Sequence, residues 1–212
     1  MCCGAAALGL ELSADQAERL VGYQRLLQRW NEKFNLVSSR DVARLLSRHL
    51  LDSLSISQWL HGKRVLDIGS GAGLPGIPLA MVNAGRQFIL VDRGKRKTRF
   101  LEQVVMTFEL DNVDVQCTDA QDLTGEPGFS TIVCRAVARL ANVWQIAGPL
   151  LNEGGRLVFM NRTGVQSKES LSPPVDAAEL PAGVNVVREQ VQIPGLRGSH
   201  EVLIVEASQW PG

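Results

Sequence analysis

Apolar positions recur at helical spacing between Ser13 and Leu60, and from Val65 onward they fall into short blocks separated by polar turns. Over 13–31, Leu20, Tyr23, Leu27 and Trp30 share one face, and Ser13 with Gln16 has the spacing of a capping box that starts a helix. A second helix is predicted from Asp41 to about Leu60, with Val42, Leu45, Leu46, His49, Leu50 and Leu54 on its inner side. Further on, strands fit 65–68, 88–91, 113–117, 131–134 and 156–160, and helices fit 76–84, 95–110 and 139–151. Such alternation predicts an α/β fold, a mostly parallel sheet with helices on both faces and right-handed crossovers. After a loop at 161–182, Val184–Ile193 and Glu201–Glu206 read as two strands of a terminal antiparallel hairpin around Pro194-Gly195-Leu196-Arg197-Gly198. No repeat or low-complexity linker divides the chain. One domain over 1–212 is therefore expected, with 1–60 as a helical N-terminal cap on a sheet and hairpin over 61–212.

The densest local signal is Arg64 to Gly76, where Val65, Leu66 and Ile68 make a buried strand that breaks into Gly69, Gly71, Gly73 and Gly76. Those glycines can take positive φ and let a ligand approach where a Cβ would collide. Pro75 and Pro78 suit the first turn of the next helix. Strand, glycine loop and helix together form the layout of a nucleotide site.

Two ligands compete for this loop. Gly71, Gly73 and Gly76 spell G-x-G-x-x-G, which would rest a dinucleotide pyrophosphate on a helix N-terminus. Asp67 instead puts a carboxylate where it would repel phosphate and attract a cationic ammonium or sulfonium group, and S-adenosylmethionine carries both. Asp92, 25 residues after Asp67, ends the run Phe88-Ile89-Leu90-Val91, where a carboxylate can accept from both ribose hydroxyls. Both ligands need that, so Asp92 supports the nucleoside without choosing between them.

Composition narrows the function classes. The chain has 212 residues, 45% hydrophobic and 21% charged, as in an ordinary globular domain. Nothing approaches the roughly 18 consecutive apolar residues of a membrane span. The start has no basic leader of a signal peptide, so a cytoplasmic location is expected. Cys2, Cys3, Cys117 and Cys134 lack C-x-x-C spacing and His49, His61 and His200 stand far apart, so no metal site is expected. Cys117 and Cys134 lie in apolar runs and are expected to be buried.

Net charge is zero, which argues against a protein that coats nucleic acid nonspecifically. The distribution is uneven. Residues 61–110 carry eight Lys or Arg against four acids, and residues 111–212 carry seven against twelve. Arg93 to Arg99 places five cations in seven residues at the start of a predicted helix, where each opposes the macrodipole at roughly 0.3–1 kcal/mol. A phosphate partner would offset that cost.

Ligands in such sheets lie beyond the carboxyl ends of the strands. Facing that crevice would be the loop Asp67 to Leu74, Asp92, the segment Asp119-Ala120-Gln121-Asp122 and Arg135, whose guanidinium could grip a ligand carboxylate. A parallel sheet ending in an antiparallel hairpin is the class I methyltransferase (Rossmann-like) arrangement.

Arg29-Trp30-Asn31 with Asn35-Leu36, then Arg48-His49-Leu50-Leu51-Asp52-Ser53, then DIGSGAGLPGIP from Asp67 to Pro78, the basic cluster before Phe100-Leu101, and Cys134-Arg135-Ala136 together closely resemble the RsmG family, also called glucose-inhibited division protein B. The resemblance runs from about Leu12 to Val205. It implies S-adenosylmethionine-dependent methylation of N7 of a guanine in bacterial small-subunit (16S) ribosomal RNA. It places the family's cofactor contacts on Gly69 and Leu74, on Ala120 and Gln121 beside the adenine, and on Arg135, with Asp92 at the ribose and Gly71 and Gly73 in the loop. Lys95, Arg96, Lys97, Arg99, Trp30, Arg162 and Arg197 are the expected RNA contacts, and a monomer acting on ribosomal RNA or the small ribosomal subunit is expected.

Three positions depart from the family's usual pattern. Asn161 stands where a lysine is common, Asp119 where an arginine is often found, and His200-Glu201 where an Arg-His pair is usual. Each removes or shifts positive charge near the expected RNA entrance. Guanine N7 bears an exposed lone pair, so no general base is needed and none is expected. A nicotinamide-dependent oxidoreductase using Gly71, Gly73 and Gly76, and a catalytically silent RNA- or ribosome-binding protein, are the alternatives.

Overall fold

Among the described residues, seven strands form one sheet. The computed structural model describes residues 1–37, 49–123, 128–135, 139–161, 180–196 and 198–207. The strands are β1 (Arg64–Ile68), β2 (Gln87–Val91), β3 (Val113–Gln116), β4 (Phe129–Arg135), β5 (Leu151–Asn161), β6 (Val184–Gln192) and β7 (Ser199–Ala207), and they lie across the sheet in the order β3-β2-β1-β4-β5-β7-β6. Pairings from β3 through β5 are parallel, and β7 runs antiparallel to both β5 and β6. This is the mostly parallel sheet with a terminal antiparallel hairpin that the alternation predicts, and it is the class I methyltransferase fold. Strand order reverses between β1 and β4, which opens a crevice at their carboxyl ends.

Period-two alternation divides the sheet's side chains between two apolar layers. Val65, Phe88, Leu90, Val133 and Val158 pack on one face against α2 (Ala14–Phe34), α4 (Gly76–Val82) and α5 (Lys95–Thr107). Leu66, Ile68, Ile89, Ile132 and Leu157 pack on the other against α6 (Leu140–Ala147). Helix α2 starts as its sequence dictates. Ser13 Oγ accepts from Gln16 N–H at 3.1 Å and Gln16 Oε1 accepts from Ser13 N–H at 3.0 Å. The helix ends at Asn35, which takes the left-handed conformation. A further short helix, α1 (Cys2–Ala6), precedes it.

The second cap helix differs from expectation. Its first part, 41–48, lies outside the described residues, and the rest is broken: a π turn at 49–51, α3 (Asp52–Ser55) and a 3-10 turn at Ser57–Trp59. The hydroxyl of Ser53 donates to His49 O at 2.6 Å and that of Ser55 to Asp52 O at 2.7 Å, side-chain bonds that compete with the helical ladder. Helix α6 likewise ends early at Ala147, because Pro149 forces the next turn into 3-10 geometry. Strand β5 begins five residues before the predicted 156. Gly154 and Gly155 dilute its apolar pattern, and Gly155 is required where a Cβ would meet Phe129 O at 2.8 Å.

Cys134 is buried as predicted, but Cys117 is exposed, because it lies just past the end of β3 at the sheet's margin.

Candidate functional site

Strand β1 ends in a loop that the neighbouring strand holds. Gly69 N–H and Ser70 N–H both donate to Val91 O, at 2.9 and 3.0 Å, and Ser70 Oγ donates to Asp67 O at 2.8 Å. Gly69, Gly71 and Gly73 take φ of 68°, 59° and 89°, as their spacing predicts. Gly76 does not: it is the first residue of α4, and glycine is needed there because a Cβ would lie 2.6 Å from Asp67 Oδ2.

That contact locates Asp67. Its carboxylate is fully buried on the same sheet face as Val65, beneath the start of α4, and its Oδ2 accepts from Gly76 N–H at 2.9 Å. Burial pushes it up to about 7, against the Gly76 N–H and the nearby Arg135 guanidinium, which favour the charged form. Asp67 thus lies under the loop, packed against α4, whereas its place in the sequence predicts a carboxylate facing a cationic ligand. Tyr23, also fully buried, donates from its hydroxyl to Ala72 O at 2.6 Å and ties α2 to the loop. Burial raises the Tyr23 phenol, and it pushes the Cys134 thiol up to about 12.

Beyond the carboxyl ends of β1, β2 and β4 lies a cavity of about 420 Å³, within the size range of small-molecule sites. Its lining includes Gly69, Asp92, Lys97, Ala120, Gln121 and Val143. Four residues named from sequence therefore meet in one space: Gly69 after β1, Asp92 after β2, and Ala120 and Gln121 in the 3-10 turn Ala120–Asp122. Asp119 caps that turn, its Oδ1 accepting from Gln121 N–H at 3.2 Å. The carboxylate of Asp92 binds the two loops together, accepting from Gly71 N–H at 3.0 Å and from Gly94 N–H at 2.8 Å.

The remaining predicted residues disperse. Leu74 packs into the core, and a Cβ on Gly73 would meet Ile77 and Leu101. Lys97 is an expected RNA contact, but its Nζ lies 3.1 Å from Asp92 Oδ2 and lines the cavity. Lys95, Arg96 and Arg99 stay exposed on α5, which turns Thr98, Phe100, Leu101 and Val104 inward. Trp30 is half-buried between Phe34 and Phe100, with ring centroids 5.1 and 5.4 Å away, so it packs α2 against α5. Arg162 and Arg197 lie outside the described residues.

Arg135 sits in a cluster that sequence reasoning did not assemble. Its Nη1 donates to His49 Nδ1 at 3.2 Å and lies 3.8 Å from Asp52 Oδ2, while Asp52 Oδ1 accepts from His200 Nδ1 at 2.8 Å. The cluster joins the cap to β4 and β7 at the carboxyl edge of the sheet. His49 and Asp52 stand within the R-H-L-L-D-S motif, but 148 residues separate Asp52 from His200, and no local pattern reports such a pairing.

Known proteins match this chain along most of its length and in its fold. A protein from Methylococcus capsulatus (strain ATCC 33009 / NCIMB 11132 / Bath) named ribosomal RNA small subunit methyltransferase G is 38% identical over 199 residues, covering 94% of this chain and 93% of its own. Among solved structures, a SAM-dependent O-methyltransferase from Thermotoga maritima superposes with a TM-score of 0.54 at 19% identity, over 76% of this chain and 66% of that one. A mutant of MtNAS in complex with S-adenosylmethionine gives a TM-score of 0.61 at 20% identity, over 92% and 72%. At those identities the structures attest to the fold. The model of the family GidB, described as rRNA small subunit methyltransferase G, matches residues 16–177. With that match and the close relative both spanning most of the chain, the protein belongs to the rRNA small subunit methyltransferase G family.

Proposed function

We propose that this protein transfers a methyl group from S-adenosylmethionine to N7 of one guanine in the 16S RNA of the small ribosomal subunit. The observation that carries the donor half is the cavity at the sheet's switch point, where Asp92, Ala120, Gln121 and the main chain at Gly69 converge. The residues present fit the group. Gly69 leaves room for close approach, Asp92 offers a nearly buried carboxylate to a ribose, and Val143 with Ile146 supplies an apolar wall for an adenine. The RNA half is supported by family membership and by Lys95, Arg96 and Arg99, exposed on the first turns of α5 beside that cavity.

When bound, S-adenosylmethionine supplies an electrophilic methyl group on a sulfonium. Guanine N7 presents a free lone pair, so no residue of this chain has to remove a proton. The work left to the protein is to bind, orient and exclude water. Gly69, Asp92, Ala120 and Gln121 would hold the nucleoside. Arg135, anchored by His49 and Asp52, stands at the carboxyl end of β4, toward the other half of the sheet. In an A-form helix the N7 edge lies in a deep, narrow groove, so the target guanine is expected to be unstacked or to lie in a loop. The cap and the sheet act as one domain, joined through Tyr23 and through Arg19, whose Nη1 donates to Phe108 O at 3.0 Å. The expected setting is the cytoplasm, where small subunits are found; among the described residues no helix is long and apolar enough to cross a membrane.

The test is methyl transfer from labelled S-adenosylmethionine to small subunits from cells lacking the activity, followed by cleavage selective for N7-methylguanine. A single labelled guanine is expected. Tight binding of S-adenosylhomocysteine without label would favour the silent RNA-binding alternative, and preferential stabilisation by NADH would favour the oxidoreductase.

A further inference from the structure

An ionised carboxylate offers about four acceptor positions on its two oxygens. Three of those on Asp92 are taken: Oδ1 accepts from Gly94 N–H at 2.8 Å, and Oδ2 accepts from Gly71 N–H at 3.0 Å and from Lys97 Nζ at 3.1 Å. The two backbone donors are fixed by the turns they belong to, since Gly71 sits in the glycine loop and Gly94 is the residue that opens α5. Lys97 is not fixed in that way. Its side chain is 45% exposed against 5% for Asp92, and its ammonium rides on a flexible four-carbon stem.

A ribose brings two hydroxyls to this carboxylate, but only one acceptor position is open. The other is the one that Lys97 holds. Because Lys97 also lines the cavity, its ammonium stands in the space the sugar would enter. We propose that Lys97 is an affinity-setting residue for the cofactor: in the ligand-free protein it occupies a ribose position on Asp92, and nucleoside binding displaces it into solvent. This rests on the nucleoside assignment of the cavity made above.

Two consequences follow from the competition. Removing the ammonium strengthens cofactor binding, the reverse of what a direct lysine contact would give. The displaced ammonium also stands on the same exposed turn as Lys95 and Arg96, free to meet a phosphate. Whatever draws Lys97 away from Asp92 then favours the ribose, and by linkage the ribose favours phosphate binding by the same factor.

The test is titration calorimetry of S-adenosylhomocysteine on the full chain, wild type against Lys97→Met, at low and moderate sodium chloride. Lys97→Met is expected to bind roughly twofold to fivefold more tightly, the range of a partly exposed ion pair. Salt should tighten binding to the wild type by screening the pair and leave Lys97→Met unchanged. Equal or weaker binding by a folded Lys97→Met would overturn the competition. If Lys97→Met does not fold, Lys97→Gln gives the same comparison with a neutral polar stem. A wild type that does not bind S-adenosylhomocysteine at all would remove the nucleoside assignment itself, a result distinct from failure of the competition alone.

Discussion

The hydroxyl of Tyr23 reaches 2.6 Å to the carbonyl oxygen of Ala72, so the middle of the first long helix fixes the middle of the glycine loop. Both groups are buried, and the loop inherits its position from the cap as well as from β1 and β2. Tyr23→Phe keeps the ring's packing and orphans one buried carbonyl. A loss of roughly 1–3 kcal/mol is expected in stability, with weaker S-adenosylhomocysteine binding. Thermal unfolding and calorimetry on the same preparation would measure both.

Gly76 and Gly73 should tolerate alanine poorly for different reasons. A Cβ at Gly76 meets Asp67 Oδ2 at 2.6 Å and Leu90 at 3.1 Å, while Gly73 combines φ of 89° with contacts at 2.5 Å to Ile77 and 2.8 Å to Leu101. Each substitution is expected to cost about 1–3 kcal/mol or more. Gly85, with nothing among the described residues within 4 Å of its would-be Cβ, is the control, and denaturant midpoints of the three alanine variants would give the ranking.

Asp67 makes stability depend on pH. Burial pushes it up from the ordinary 3.8 to about 7, so the folded protein keeps a proton that the unfolded chain has released. Stability from this group is fully present below about pH 4 and is lost as pH rises through about 7. Asp67→Asn should flatten the fall between about pH 4 and about pH 7 in denaturant titrations. An identical slope in both proteins would assign the pH dependence to other groups.

Lys95, Arg96 and Arg99 stand apart from the lining of the cavity at the strand ends, whereas Lys97 is part of it. Replacing the three with alanine should weaken RNA methylation and leave S-adenosylhomocysteine affinity unchanged. The salt dependence of RNA binding should fall by about 0.7–0.9 in log–log slope for each cation–phosphate pair removed. Equal loss of RNA and cofactor binding would contradict an RNA-facing role for this turn.

Much of the fold is legible in the sequence because its cause is local. The capping box at Ser13 and Gln16, the short apolar blocks of β1 and β2, and the acid ending β2 each declare themselves within a few residues. The convergence of Gly69, Asp92, Ala120 and Gln121 follows from the rule that ligands sit beyond parallel strand ends. What escapes a sequence reading depends on direction and distance. Charge alone cannot say that Lys97 folds back on Asp92 while Lys95 and Arg96 point outward. The carboxylate of Asp67 belongs to the cap-side face only once the β1 register is known. Two glycines conceal the start of β5, and Cys117 is exposed because β3 lies at the edge of the sheet.

The pairing of Asp52 with His200 sets an order of events during synthesis. Chains emerge N-terminus first, and contacts between residues far apart in sequence form late. Among the described residues, the lining of the cavity at the strand ends stops at Ile146, ahead of β5, β6 and β7. The nearly buried carboxylate of Asp52 waits for an imidazole at the start of the final strand. A chain that stops short of Ser199 lacks that imidazole partner, so joining the cap to the far half of the sheet is among the last contacts that synthesis makes available.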